Sequence, residues 1–169
     1  MNSSLIIGSN SHIAQAIICR IQEAEPSEKI IAVSRGQQPA ELEGVDWYQS
    51  DYSEPSIAEL VKRFTDTALT FNRVFICLGI LHDQKVSPEK RLEELNSDAI
   101  QHVFQINAIT PALWLKHLLP LLKQARGCKV TIFSARVGSI GDNHLGGWYS
   151  YRASKAALNM LLKSTAIEY

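Results

Sequence analysis

Short apolar runs alternate with longer amphipathic segments along the chain. Five runs have the length and composition of buried strands: Ser4–Ile7, Lys29–Ser34, Val45–Gln49, Arg73–Leu78 and Lys129–Phe133. Between them, as in residues 13–21, apolar positions recur every three or four residues, which is the period of a helix with one buried face. Strands that alternate with helices are typical of a parallel sheet with crossover helices. We therefore expect an α/β fold with a doubly wound parallel sheet in the strand order 3-2-1-4-5.

Two predicted helices late in the chain carry more apolar surface than one sheet face can bury. Residues 98–124 keep a helical period despite Pro111 and Pro120, and another helix begins near Ser150 and runs to the end of the chain. We expect Pro111, four residues after Asn107, to kink the long helix and to free backbone groups near Asn107. A helix that is apolar on two sides must bury both of them. The final helix ends without a cap, a glycine or a further strand, so we expect the chain to be truncated within it.

Composition and charge exclude several classes of protein. Hydrophobic residues make up 46% of the chain and charged residues 20%, the balance of a globular rather than a disordered protein. Seventeen basic residues match seventeen acidic ones, and the net charge of 0 argues against nucleic-acid binding. The three cysteines are scattered, so we expect neither a disulfide framework nor a metal site, and a cytoplasmic location. Lys116 and Pro120 interrupt the longest apolar stretch, so we expect no membrane span.

The turn after the first strand is one candidate binding site. Residues 8–14 have the sequence Gly-Ser-Asn-Ser-His-Ile-Ala and lead from a strand into a helix. Such a turn places backbone N–H groups and the positive end of the helix dipole against an anion, typically the pyrophosphate of a dinucleotide. Only Gly8 remains of a glycine-rich fingerprint, because His12 and Ala14 stand where further glycines are expected. The alternative is an ordinary strand-to-helix turn. A Walker phosphate loop is excluded, since no Gly-Lys-Ser/Thr follows.

Ser34 and Arg35, at the end of the second strand, favour one dinucleotide over another. At this place in a dinucleotide-binding fold an acidic residue binds the ribose hydroxyls of NAD, whereas an arginine accommodates the 2′-phosphate of NADP. Arginine pairs with phosphate through charge-assisted and often bidentate hydrogen bonds. Arg35 therefore favours NADP over NAD, and the alternative is a solvated arginine in a surface loop.

The segment Tyr151-Arg152-Ala153-Ser154-Lys155 carries the third candidate. Residues four positions apart lie on one face of a helix, so the Tyr151 phenol and the Lys155 ammonium can face the same small volume. A nearby cation favours the phenolate and is expected to lower the pKa of Tyr151. The phenol could then act as general acid or base on a carbonyl or alcohol oxygen. A tyrosine and a lysine four positions apart often occur by chance. This pair is distinguished from a chance match by its position after the fifth strand and a glycine-rich loop.

Together these residues resemble the short-chain dehydrogenase/reductase family over the whole chain. The stretch from Gly138 to Tyr151, which contains Gly-Ser-Ile-Gly-Asp-Asn and Gly-Gly-Trp-Tyr-Ser-Tyr, is most similar to the C-factor/sniffer-like carbonyl reductase branch. The resemblance implies a three-layer αβα Rossmann fold and a single NAD(P)-binding domain over residues 1–169, with the C-terminal strands and the substrate lobe missing. It also implies that the two apolar helices pair in a homodimer or homotetramer.

The resemblance carries specific roles onto residues of this sequence. Asp51 and Tyr52 match the adenine-contacting position, and Cys77-Leu78-Gly79 takes the place of an Asn-Ala-Gly element. Asn107 matches the helix asparagine that organises a proton relay, and Tyr151 and Lys155 match the catalytic pair. The implied cofactor-binding residues are Gly8, Ser9, Asn10, Ser11, His12, Ile13, Ser34, Arg35, Asp51, Tyr52, Cys77, Leu78, Gly79, Asn107, Tyr151 and Lys155.

One position departs from the family pattern. Aligned on Gly138, the catalytic serine of the family falls on Ala135. The hydroxyl groups left in this region are Ser134, displaced by one residue, and Ser139, further along the loop. We assign the role of orienting the substrate oxygen to Ser134, with Ser139 as the alternative. A Ser134 that only bonds the backbone at the strand end is the structural alternative.

The predicted function is NADP-dependent reduction of a small-molecule carbonyl, or the reverse oxidation of an alcohol. Tyr151, Lys155, Asn107 and Ser134 are the expected catalytic residues. A second hypothesis is a nucleotide-binding signalling or scaffold protein that kept the fold and lost turnover. Ala135 supports it, and so does the turn after the first strand, which has only one glycine of the fingerprint. A methyltransferase on a similar fold is disfavoured, because such sites usually have an acidic residue at the position of Arg35.

Overall fold

The computed structural model describes residues 3–125 and 127–169 and contains a parallel sheet of five strands. The strands are β1 (Ser3–Ile7), β2 (Lys29–Ser34), β3 (Asp46–Gln49), β4 (Arg73–Ile76) and β5 (Lys129–Ile132). All neighbours pair in parallel in the order β3-β2-β1-β4-β5. This order and the α/β class confirm the prediction. β4 ends two residues earlier than predicted, although the Cys77 N–H still donates to the Ile7 carbonyl at 2.8 Å.

Helices connect the strands and follow the last one. They are α1 (His12–Ala24), α2 (Glu54–Asp66), α3 (Ser97–Phe104), α4 (Thr110–Gln124) and α5 (Tyr149–Glu168). Short 3₁₀ turns lie at Leu92–Glu94 and Arg136–Gly138. The helix predicted over residues 98–124 is continuous, but a π-helical turn at Gln105–Ile109 joins α3 to α4. A π turn inserts an extra residue into a helix and is frequent at functional sites.

The chain divides into two compact units. The first consists of the residues up to Cys77 together with Leu113–Ile132, and it contains the sheet, α1, α2 and most of α4. The second consists of Leu78–Ala112 and Phe133–Tyr169, and it contains α3, the π turn and α5. The single domain over residues 1–169 stays a prediction.

Helices cover both faces of the sheet in the first unit. Successive residues of a strand point to opposite faces. Trp47 of β3 packs with the buried cluster that contains Ile6 and Ile18 of α1. The next residue, Tyr48, meets Phe64 of α2 edge to face, with ring centroids 5.3 Å apart. α1 and α2 therefore lie on opposite faces, and the strands between them are buried, as the apolar runs in the sequence indicated.

Parallel pairing brings the carboxyl ends of the strands to one edge. The register pairs Ile7 with both Val33 and Ile76, and Ser34 with Gln49. The segments that begin at Gly8, Arg35, Ser50 and Cys77 therefore leave the same edge. Ligands of open α/β sheets bind at this edge.

Two kinds of feature are absent from residues 3–125 and 127–169. No helix there is long and apolar enough to cross a membrane. The same residues contain no cluster of three His, Cys, Asp or Glu side chains that could hold a metal ion.

Candidate functional site

The turn after β1 leaves backbone donors at the start of α1. Gly8 has a φ of +86°, and the N–H groups of Gly8 and Ser9 both donate to the Val33 carbonyl, at 2.9 and 3.1 Å. Ser11 caps α1 by accepting from the Ala14 N–H at 3.3 Å. The first N–H groups of a helix have no partner inside it. In the described part of the chain the N–H groups of His12 and Ile13 have no acceptor, and they lie at the positive end of the dipole.

The loop after β2 holds Arg35 beside this turn. Gly36 is fixed on both sides, since its N–H donates to Ser34 Oγ at 3.3 Å and its carbonyl accepts from Trp47 Nε1 at 3.1 Å. A Cβ on Gly36 would meet Asn10 Nδ2, so a larger residue there would displace the Asn10 side chain. The Arg35 guanidinium is exposed and lies 5.8 Å from the Tyr52 ring centroid. Within residues 3–125 and 127–169 it has no carboxylate partner.

Tyr52 is turned inward at the same edge of the sheet. Its φ is +66°, and its hydroxyl donates to the Val33 carbonyl at 3.1 Å. The ring meets Trp114 edge to face at 6.1 Å, and burial raises the pKa of Tyr52 to about 12. Asp51, by contrast, is exposed, and hydrogen bonds from Ser53 lower the pKa of its carboxyl group. Burial raises the pKa of the Cys77 thiol to about 12, so this cysteine is not a reactive thiolate.

Asn107 is the centre of the second unit. It is fully buried within the π turn. Its Oδ1 accepts from the Ile80 N–H at 2.7 Å, and its Nδ2 donates to the Ile80 carbonyl at 2.9 Å and to Ser154 Oγ at 3.1 Å. The Ser154 hydroxyl donates in turn to the Tyr151 carbonyl at 2.8 Å. One buried amide thus joins the segment after Gly79 to the helix that carries Tyr151.

Pro111 gives a physical reason for the π turn. The N–H of residue 111 would normally donate to the carbonyl of Asn107, and proline has no N–H to give. The helix widens instead, and the Thr110 N–H donates to the Gln105 carbonyl, five residues back. The backbone carbonyl of Asn107 therefore lacks the donor at residue 111 that a regular helix would supply.

Tyr151 and Lys155 lie one helical turn apart on α5, as predicted. Lys155 Nζ is 5.9 Å from the Tyr151 ring centroid and donates to the Phe133 carbonyl at 3.0 Å. Burial raises the pKa of Tyr151 and lowers the pKa of Lys155, because it disfavours the charged form of each. Burial therefore outweighs the lowering effect predicted for Lys155, and the pKa of Tyr151 stands above rather than below its ordinary value. A Cβ on Gly79 would lie 3.1 Å from Lys155 Nζ.

The Ser134 hydroxyl is bonded to α5 about two turns beyond Tyr151. Ser134 is exposed, and its hydroxyl donates to Asn159 Oδ1 at 2.6 Å. Asn159 follows Tyr151 by eight residues on α5, which is about 12 Å along the helix axis. The 3₁₀ turn further along this loop does approach the site, since a Cβ on Gly138 would lie 2.8 Å from Lys155 Cβ. Ser139, which follows Gly138, is the loop hydroxyl next to that contact.

Two residues that shape these regions were not identified from the sequence. Trp47 fixes the loop that carries Arg35, and Ser154 joins Asn107 to α5. Ser154 lies inside the Tyr151–Lys155 segment, so its helical position was a usable signal. Trp47 offered none, because its hydrogen bond to Gly36 depends on how β2 and β3 pair.

Comparison with known proteins shows similarity along nearly the whole chain. A family model described as enoyl-(acyl carrier protein) reductase matches residues 11–169. The 1-hydroxy-2-glutathionyl-2-methyl-3-butene dehydrogenase of Rhodococcus sp. (strain AD45) is 31% identical over 170 residues, which cover 95% of this chain and 68% of that protein. C-signal of Myxococcus xanthus is 42% identical over 65 residues, which cover 38% of this chain and 39% of that protein.

Solved structures share the fold. The carbonyl reductase Sniffer of D. melanogaster has a TM-score of 0.85 at 24% identity, over 99% of this chain and 75% of that one. A Burkholderia multivorans protein described as a short-chain dehydrogenase/reductase, with bound NADP, has a TM-score of 0.81 at 22% identity. That match covers 99% of this chain and 73% of the other.

Tyr151 is expected to titrate above the ordinary range of a tyrosine. Burial disfavours its phenolate, so the midpoint lies above about 10. The measurement is the phenolate absorbance of the wild-type chain against pH, minus that of the Tyr151→Phe variant, which isolates this one phenol. A midpoint at or below 10 would contradict the burial seen here.

Proposed function

Because the chain belongs to the short-chain dehydrogenase/reductase family, we propose that it catalyses NADP-dependent hydride transfer between nicotinamide and a small carbonyl or alcohol. The family predicted from the sequence is thereby confirmed, and the match to C-signal agrees with the predicted branch. The observation that carries the proposal is the buried chain of hydrogen bonds from Ile80 through Asn107 and Ser154 to Tyr151. These hydrogen bonds hold the helix that carries Tyr151, the proposed acid/base, together with the buried Lys155.

The first unit has groups that fit a phosphorylated dinucleotide. The N–H groups of His12 and Ile13 point out of a helix start, where a pyrophosphate is stabilised. Arg35, exposed and without an acidic partner in the described residues, would pair with a 2′-phosphate. The remaining turn residues and Asp51 would contact the adenosine part. When bound, this cofactor supplies or accepts the hydride.

The second unit supplies the proton chemistry. Tyr151 would donate its phenolic proton to the oxygen of a carbonyl as that oxygen gains negative charge, or take the proton from an alcohol in the reverse reaction. Lys155 would contribute a positive charge that stabilises the phenolate and would donate to a ribose hydroxyl. The Asn107 carbonyl, which lacks a donor at Pro111, is an acceptor through which a water could pass the proton onward. A loop hydroxyl would hold the substrate oxygen.

A binding protein without turnover is the second candidate function. It is favoured by Ala135, which lacks the hydroxyl that the family uses, and by the Ser134 hydroxyl, which is engaged with Asn159. Such a protein would keep the cofactor site of the first unit and lose the substrate site. Tight NADPH binding without oxidation of NADPH in the presence of varied aldehydes, ketones and quinones would favour this function.

Self-association is part of the proposal. In the second unit α5 exposes Met160 (65%), Leu161 (41%) and Ile167 (74%), and Ile109 of the π turn is 43% exposed. Apolar surface of this kind is covered in a symmetric dimer or tetramer. Light scattering should therefore give a mass of at least two chains.

Arg35→Ala is expected to remove a preference for NADPH over NADH. One charge-assisted contact of about 1.5–3 kcal/mol corresponds to roughly 10- to 150-fold in the dissociation constant. Calorimetric titration with each nucleotide measures the ratio. Arg63→Ala is the matched control, since Arg63 also lies over a tyrosine ring, that of Tyr48, at 5.5 Å. Equal affinities in the wild-type chain, or a ratio that Arg35→Ala leaves unchanged, would refute the role of Arg35.

Tyr151→Phe is expected to abolish turnover and spare NADPH binding. The phenylalanine ring keeps the packing, but the transferable proton is gone. Tyr149→Phe is the control, because it makes the same change two residues earlier on the same helix. NADPH oxidation and nucleotide binding are measured on both variants. A near-normal rate for Tyr151→Phe would show that another group is the acid/base.

The two loop serines are distinguished by paired substitutions. We expect Ser139→Ala to lower kcat by roughly 10²-fold, the cost of losing one donor to a developing oxyanion. Ser134→Ala should change kcat by less than about threefold, because that hydroxyl is bonded to Asn159 rather than directed at Tyr151. The opposite ranking would return the role to Ser134, as the sequence first suggested. No effect from either variant would favour the binding function.

A further inference from the structure

The first turn of α5 is capped from a distant part of the chain. Trp148, the residue before the helix, provides no capping side chain and has a left-handed backbone with φ +52°. The acceptor is Glu89 instead, 61 residues before Ser150. Glu89 Oε2 accepts from the Ser150 N–H at 3.2 Å, and Oε1 accepts from the Ser150 hydroxyl. The backbone carbonyl of Glu89 accepts from the Trp148 N–H at 2.5 Å. Three hydrogen bonds accepted by Glu89 therefore hold Trp148 and Ser150, which precede Tyr151 by three residues and by one.

The carboxylate of Glu89 is buried, which is unfavourable in free energy unless polar partners compensate. Its exposure is 4%, and that of Ser150 is 3%. Within residues 3–125 and 127–169 no lysine, arginine or histidine pairs with the carboxylate of Glu89. Burying a carboxylate is unfavourable unless hydrogen bonds and nearby positive charge compensate. Here the compensation is the Ser150 donors and the positive end of the α5 dipole, so the charge and the helix start depend on each other.

The chain that enters α5 is built around the same residue. Gly147 has a φ of +64°, and a Cβ there would lie 3.3 Å from the Glu89 carbonyl oxygen. Its own carbonyl accepts from Arg152 Nε at 3.0 Å. The Trp148 indole meets the Tyr151 ring edge to face at 6.3 Å. The strained backbone of Trp148 is thus fixed by Glu89 on one side and by Tyr151 on the other.

We propose that Glu89 is a positioning residue for Tyr151. Glu89 acts by capping α5 through its hydrogen bonds with Ser150 and Trp148. This inference rests on the proposed function of Tyr151 as the acid/base. Helix ends fray unless they are capped. Tyr151 is the third residue of α5, so its hydroxyl is located by the first turn. Proton transfer requires that hydroxyl within hydrogen-bond reach of the substrate oxygen, and a displacement of about 1 Å can cost roughly 10²-fold in rate.

The test compares Glu89→Ala with Glu93→Ala, a matched change at an exposed glutamate of the same segment. Glu89→Ala should lower kcat roughly tenfold or more and leave KM for NADPH within about twofold, because it disturbs the proton donor rather than nucleotide binding. It should also move the Tyr151 titration midpoint down toward about 10, since a frayed turn exposes the phenol to water. Glu93→Ala should change neither value.

Glu89→Gln is the conservative rescue. A glutamine keeps the length and one acceptor, and its amide can donate to the Ser150 hydroxyl, so kcat should stay within about threefold of wild type. If circular dichroism shows that Glu89→Ala does not fold, Ser150→Ala decides by the same two measurements, because it removes only the hydroxyl hydrogen bond.

The outcomes separate this proposal from the proposed function. A wild-type chain without turnover in which Glu89→Ala, or Ser150→Ala in its place, still lowers the Tyr151 midpoint would overturn the reductase and support the positioning role. An active chain in which the variant matches Glu93→Ala in both kcat and midpoint would overturn the positioning role and leave the reductase standing.

Discussion

The second unit depends on the hydrogen bonds of one buried amide, that of Asn107. A buried polar side chain is costly unless its donors and acceptors are paired. Asn107 meets this requirement by bonding both backbone groups of Ile80 and the hydroxyl of Ser154. Removing any of these partners would leave an unpaired polar group in the interior. The π turn, the segment after Gly79 and the Tyr151 helix are therefore held in one arrangement.

A backbone carbonyl has the corresponding role in the first unit. The Val33 oxygen accepts from the N–H groups of Gly8 and Ser9 and from the Tyr52 hydroxyl. These donors come from the ends of two other strands that leave the same edge of the sheet. Because the Gly8 and Ser9 N–H groups are used to shape the turn, the donors left for an anion are those of the first helical residues. One glycine is enough for this arrangement, because Gly8 is the one residue of the turn at residues 8–14 with a positive φ.

Burial acts on the chemistry of the two catalytic candidates in opposite ways. It raises the pKa of Tyr151 and lowers that of Lys155, so both groups are biased toward their neutral forms. A phenol that stays protonated is suited to be a proton donor, and Lys155 is oriented by its hydrogen bond to the Phe133 carbonyl. Burial therefore outweighs the electrostatic effect of Lys155 on Tyr151 that the spacing of the two residues predicts. Spacing on a helix brings side chains to one face, but it does not decide which acceptor each one chooses.

The sequence by itself determined the α/β class, the strand order, the long helix with its proline-induced irregularity, and the Tyr151–Lys155 spacing. These are consequences of local periodicity and of covalent geometry, since strand alternation, helical period and the missing N–H of Pro111 act over a few residues. The tertiary structure decided the direction of the Ser134 hydroxyl, the inward turn of Tyr52, the hydrogen bond of Trp47 to Gly36 and the capping of α5 by Glu89. Each of these depends on a partner that only folding brings close, 61 residues away in the case of Glu89 and Ser150. A donor bonds an acceptor that the fold places within hydrogen-bond distance, and the sequence pattern does not say which acceptors those are.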